Sequence, residues 1–288
     1  MPSIKIHAFE VECSDDSEAL EDVLEAIADE EDPEAKIREV GLGIDVRCED
    51  IVQRDGFWLL DFVRFRSDHG PGKVGVDTEI EGFDFDEGES FGEETAALYD
   101  PTSGFILIQY NHFGVRYGPI SEYLSLFNED EDNDYTFKPK FDQEIERRFQ
   151  QQGITRKLEF GINATRMNAT DRAVGRSLEQ ALAFGRAPGS DRIKVTLGVG
   201  PRDASLNRRF VRNIVRDLRR MIGADERTVT TLRVTGKENH DAETEVLDLL
   251  GHRLTFESEI NPDEHLQFPR NDRYRALRSA RTHWRDLL

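Results

Sequence analysis

The sequence predicts an α+β protein with mixed, largely antiparallel sheets, packed helices and two sub-domains, and three observations carry that prediction. Two hairpin signals lie in the first half: Asp55-Gly56 between apolar runs 44–54 and 57–65, and the turn 100–104 between runs 95–99 and 105–110. Asp-Gly accepts the positive φ that a tight hairpin turn demands. Strands and amphipathic helices mix without regular βαβ repetition or an internal repeat. Charge, finally, is divided along the chain. Residues 1–135 hold 36 Asp+Glu against 9 Lys+Arg, and residues 136–288 hold 22 against 29. Net charges of −27 and +7 mark an acidic domain over 1–135 and a basic domain over 136–288.

The totals narrow the class. A chain of 288 residues can bury a sizeable core, and 37% hydrophobic content with 18 Phe is too apolar for a disordered protein despite a net charge of −20. Cys13 and Cys48 are too few for a disulfide framework, which predicts a reduced, cytoplasmic protein. No basic leader precedes an apolar run, and no apolar stretch approaches the roughly 18 residues of a membrane helix.

In the acidic half, residues 3–13 alternate as a strand whose Ile4 and Ile6 fall out of phase with Phe9 and Val11, which predicts a bulge near His7-Ala8. Residues 14–28 read as a helix burying Leu20, Val23, Leu24 and Ile27, followed by an acidic loop over 29–34. The first hairpin follows; a Gly/Pro loop over 67–75 leads into an alternating run, 76–85, read as a strand. After the second hairpin, Pro119 suits the first turn of a helix whose Ile120, Tyr123, Leu124 and Phe127 recur at helical spacing. The acidic run 128–134 reads as an exposed linker.

In the basic half, strands are expected over 136–141, 155–164, 192–199, 228–236, 244–250 and 252–260. Helices are expected over 142–152, 170–186, 203–222 and 271–288, Gly153 and Gly223 ending the first and third.

Two of these helices carry arginine faces. The helix over 203–222 puts Leu206, Phe210, Ile214, Leu218 and Met221 on one side and Arg208, Arg209, Arg212, Arg216, Arg219 and Arg220 on the others. The terminal helix repeats the device with Arg275, Arg278, Arg281 and Arg285, and Lys138 and Lys140 add charge to the strand that opens the half. Guanidinium forks match phosphate oxygens, so such faces suit a nucleic-acid backbone, with double-stranded DNA the expected partner. They suit equally well the carboxylates of a neighbouring element or of a second copy.

No catalytic constellation, cofactor site or metal site emerges. Gly70 to Gly75 matches G-x-G-x-x-G, but V-D-T-E-I-E follows as a strand pattern, leaving no helix N-terminus for a pyrophosphate. Gly88 to Gly92 matches G-x-S-x-G around Ser90, yet the flanking carboxylates would oppose an oxyanion. The carboxylates over 84–94 leave a metal-dependent nuclease as an alternative function. His112 is the histidine best placed for chemistry, and a turn or core role explains it as well.

Asp55 to Leu60 leading into a strand, Gly88 to Phe91 ahead of a hairpin, Gly118 to Leu126, Thr231 to Val234 with Lys237-Glu238, and the arginines from Arg275 to Arg285 occur in an order that resembles the RexA-like phage-exclusion proteins of lambdoid phages and their uncharacterised prokaryotic relatives. The resemblance implies an intracellular, dimeric DNA-binding protein of phage defence or abortive infection, without catalytic residues, acting beside a membrane-protein partner encoded nearby. The expected function is therefore sequence-independent DNA binding of antiviral type. A non-catalytic protein-interaction module, its opposite halves pairing head to tail, is a further alternative, and an acidic half that shields the basic half is an expectation from charge alone.

Overall fold

The computed structural model describes residues 2–41, 43–127, 133–164, 191–200, 204–224, 228–251 and 253–288. Its elements are β1 (Ser3–Cys13), α1 (Leu20–Asp29), β2 (Ile37–Val40), β3 (Ile44–Arg54), β4 (Phe57–Arg66), β5 (Phe91–Asp100), β6 (Phe105–Tyr110) and α2 (Tyr117–Leu126). There follow β7 (Tyr135–Pro139), α3 (Gln143–Gln151), β8 (Ile154–Asn163), β9 (Arg192–Gly198), α4 (Arg208–Ala224), β10 (Val229–Lys237), β11 (Glu245–Asp248), β12 (Thr255–Glu259) and α5 (Arg270–His283). The fold is α+β, with two antiparallel sheets. No helix among the described residues is long and apolar enough to cross a membrane.

The chain forms two compact units, Met1–Tyr135 with Phe256–Leu288, and Thr136–Thr255. The expected second domain, 136–288, is thus divided, because its last 33 residues return to the first unit. That segment holds six Lys+Arg and six Asp+Glu, so unit 2 keeps 23 Lys+Arg against 16 Asp+Glu and the whole of the +7.

In unit 1 the strands run β12-β1-β6-β5-β4-β3-β2 in a sheet curled into a half-barrel. Both faces are covered. On β4, Trp58 through Phe62 are all buried; Asp61 reaches α5 while its neighbour Phe62 meets Tyr123 of α2 edge-on at 5.5 Å. Successive strand residues point to opposite faces, so an unbroken apolar run needs cover on both sides. The Asp55-Gly56 turn forms as expected, with φ of 54° and 82°.

Four expectations for this unit are corrected. β1 needs no bulge: Lys5 to Glu10 pair in unbroken register with Tyr110 to Phe105, and Phe9 is buried on the face opposite Ile4 and Ile6 by stacking on Tyr117 at 4.4 Å. α1 begins at Leu20, six residues later than expected, since Ser14 and Ser17 bond each other at 2.7 Å in the preceding turn. Residues 76–85 are not a strand; they lie exposed, with only Lys73 and Glu81 bridged, because their apolar side chains find no sheet face to cover. The end of the expected linker is pinned: Asn133 is buried and accepts from the Glu18 amide at 2.8 Å, while residues 128–132 lie outside the described ones. Strand β2 carried too short an alternation to be read.

Unit 2 is a four-stranded sheet, β11-β10-β8-β9, with one face buried. Leu158, Phe160 and Ile162 of β8 and Leu232 and Val234 of β10 pack with Ile145 and Phe149 of α3 and the apolar side of α4. Asp142 caps α3 by accepting from the Glu144 and Ile145 amides at 2.9 and 3.2 Å. The helix expected over 170–186 lies outside the described residues, as do Asp203 and His252 at the starts of two other expected elements.

Candidate nucleic-acid interface

α4 begins at Arg208, where the Asn207 side chain accepts from the Phe210 amide at 3.1 Å. Val211, Ile214, Val215, Leu218, Met221 and Ile222 form its buried stripe, a wider arc than expected, and Leu206 and Phe210 are half-buried at its margin. The six arginines occupy the remaining surface and differ in what already holds them.

Arg219 is committed. It is half-buried, lies 4.3 Å over the Phe141 ring, and pairs with Glu146 of α3 at 2.8 Å. Burial alone would push the Glu146 carboxyl up; the Arg219 charge and a hydrogen bond from Gln150 outweigh it and hold it below the usual carboxylate range. Arg208 and Arg212 donate to the Gln150 carbonyl, the Arg212 charge also helping to lower the Glu146 carboxyl, and Arg216 meets its neighbour Asp217 at 3.5 Å. Arg209 and Arg220 are exposed and make no ion pair among the described residues.

Arg208, Arg212, Arg216 and Arg220 therefore form a row at intervals of four, one guanidinium about every 6 Å over about 18 Å of helix. Over about the same 18 Å a DNA duplex presents roughly ten phosphates. Lys138 and Lys140, on and after β7, are half-buried and already engaged within the chain.

The α5 arginines are different. Arg281 donates to the buried Asp100 at 2.7 Å, Arg278 pairs with Asp55 at 2.5 Å, and Arg275 with Asp272 at 2.9 Å. Arg285, which lies beyond α5 because the helix ends at His283 and not at 288 as expected, has no ion pair among the described residues. The face expected to meet phosphate is thus largely the counter-surface of unit 1's own carboxylates. Its strongest members were not singled out: Arg273, 1% exposed, donates to Asp61 and Glu94, and Arg270 donates to Asp61 at 2.7 Å. The signal for them was Asp61 itself. A carboxylate inside F-W-L-L-D-F-V needs a buried cation, since an unpaired charge there is prohibitively costly.

The other motifs resolve simply. Residues after Gly75 do not open a helix, and Ser90 precedes strand β5, so neither the pyrophosphate cradle nor the nucleophile elbow is built. Within the 84–94 carboxylates, Glu93 pairs with Arg66 and Glu94 with Arg273. Burial raises the Glu94 carboxyl despite that cation. Among the described residues no three His, Cys, Asp or Glu converge as metal ligands. His112 borders a cavity of about 370 Å³ with Glu93, Glu94 and Asn111, its ring edge-on to Phe113 at 4.9 Å.

No curated protein matches the chain. Residues 19–279 fit the model of a family of unknown function, DUF6731. That match spans most of the sequence, and the chain belongs to the DUF6731 family.

Proposed function

We propose that this protein binds DNA without sequence preference, through the arginine row of α4. The observation that supports the reading is the contrast between the two helices: α5 spends its guanidinium groups on carboxylates, whereas Arg208, Arg209, Arg212, Arg216 and Arg220 of α4 make no ion pair beyond the weak Asp217 contact among the described residues. Neighbouring like charges on a helix repel by a few tenths of a kcal/mol per pair, so an uncompensated row is a cost that an anionic ligand removes. Contacts to phosphate fix position and carry no sequence information, which makes the binding non-specific. The likeness to RexA-type exclusion proteins suggests phage defence as the setting.

The test is fluorescence anisotropy of the full chain on labelled duplex DNA across a salt series, with and without Mg²⁺. The logarithm of affinity should fall with the logarithm of salt, with a slope of about −0.9 per phosphate neutralised, approaching −4.5 for five contacts. Arg212→Glu should flatten the slope, and Arg275→Glu, at a guanidinium already paired with Asp272, should leave it unchanged. Salt-independent binding, no binding, equal effects of the two variants, or degradation of the DNA in the Mg²⁺ arm would each overturn the proposal.

A further inference from the structure

Residues 67–90 of unit 1 carry eight Asp+Glu against one Lys, a net of −7, and run almost wholly at the surface. Among the carboxylates stand Val74, Val76, Ile80, Phe83 and Phe85, all exposed, the two phenylalanines at 49% and 43%. The segment is anchored. Lys73 and Glu81 exchange two backbone hydrogen bonds at 2.9 Å, Gly70 sits so close to the Phe91 ring that no side chain would fit, and Phe83 and Phe85 stand edge-on to Phe91 at 5.7 and 4.7 Å. A held surface of apolar side chains rimmed by charge suits the binding of another macromolecule. Its field repels nucleic acid and selects a cationic partner.

We propose that this segment docks on the arginine row of α4 in a second copy of the chain. Charge complementarity names the occupant: a net of −7 faces a row of four guanidinium groups. The aromatic component fits as well, because guanidinium groups bind ring faces, and this protein already uses that contact, with Arg66 over Phe91 and Phe113 at 5.5 and 4.8 Å and Arg219 over Phe141. Each copy carries one segment and one row, so the chain is self-complementary and copies of it can pair with one another. The inference rests on the reading of α4 as an open cationic surface, and it adds a consequence: self-association and DNA compete for the same arginines.

Sedimentation velocity of the full chain without DNA tests this. The wild type should be dimeric near 0.1 M salt and weaken at least about tenfold towards about 1 M, where the screening length falls from about 10 to about 3 Å. Asp84→Lys with Asp86→Lys should be monomeric, and so should Arg212→Glu with Arg216→Glu. An equimolar mixture of the two should form the heterodimer, since the unchanged segment of one variant then meets the unchanged row of the other, and the introduced lysines face the introduced glutamates. Phe83→Ala with Phe85→Ala should weaken the dimer at every salt concentration. A monomer under all conditions, failure of the mixture to restore association, or salt-independent association would overturn the proposal, as would a compaction independent of concentration. DNA binding by the Asp84→Lys, Asp86→Lys variant separates the two readings. Retained DNA binding without a wild-type dimer sinks only the docking proposal, and a reciprocal dimer without DNA binding sinks only the DNA proposal.

Discussion

Arg273 on α5 donates to Asp61 on β4 through two nitrogens, at 2.5 and 2.8 Å, and both side chains are 1% exposed. The partners are 212 residues apart, and Arg270, Glu94 and the Tyr274 hydroxyl, bonded to Asp50 at 2.9 Å, extend the same network. The pair holds the last helix to the first unit. Taking both charges out of water is costly, and the bidentate geometry with its added hydrogen bonds offsets that cost.

Breaking the pair should therefore be worse than replacing it. Asp61→Ala leaves Arg273 with Glu94 alone and Arg270 with the more distant Asp50, and should lower unfolding free energy by about 3 kcal/mol or more. Asp61→Leu with Arg273→Met should recover most of that loss, because an apolar pair has no desolvation cost. Urea unfolding of the three proteins checks this, and a loss under about 1 kcal/mol for Asp61→Ala would contradict the role given to the pair.

The division of labour along α5 gives a second prediction. Arg281→Ala strips a buried Asp100 of its cation, leaving it only the Thr102 amide and Ser103 hydroxyl, and should cost about 1.5–3 kcal/mol. Arg285→Ala, at an exposed site, should stay within about 0.5 kcal/mol of wild type. Thermal melts of the two should separate clearly; equal effects would mean that Arg281 is not a structural residue.

Glu146 sets a pH dependence in unit 2. Its folded carboxyl lies below the ordinary value of 4.5, so the Arg219 pair stabilises fully above 4.5, and that contribution is lost as pH falls through the lowered folded value. Stability should drop on acidification through that window, and Glu146→Gln should shrink the drop. A Gln variant with an unchanged acid profile would assign the effect to other groups.

Much of this fold was legible without coordinates. The two hairpins, the helix α3 and the amphipathic α4 depend on local chemistry: a positive φ at Asp55-Gly56, a glycine that ends a helix at Gly153, and apolar residues at helical spacing. The candidate interface was half legible. Periodicity put arginines on the sides of α4 away from its apolar stripe and at helical spacing along the terminal helix, but the same pattern arises whether they meet phosphate or carboxylate. Residues 76–85 mark the same limit, since alternation describes a strand only if something covers one side.

Local pattern and composition were enough for most of the element types, the antiparallel hairpins and the separation of charge near residue 135, because each follows from contacts between near neighbours or from residue counts. It took long-range packing to place Phe256–Leu288 in the first unit, to bring Asp61 to Arg273, and to spend most of the α5 arginines while the α4 row stays open. The reason is physical: a guanidinium binds whichever anion the fold brings within about 3 Å, and pairing across 212 residues is a property of packing that no local pattern encodes.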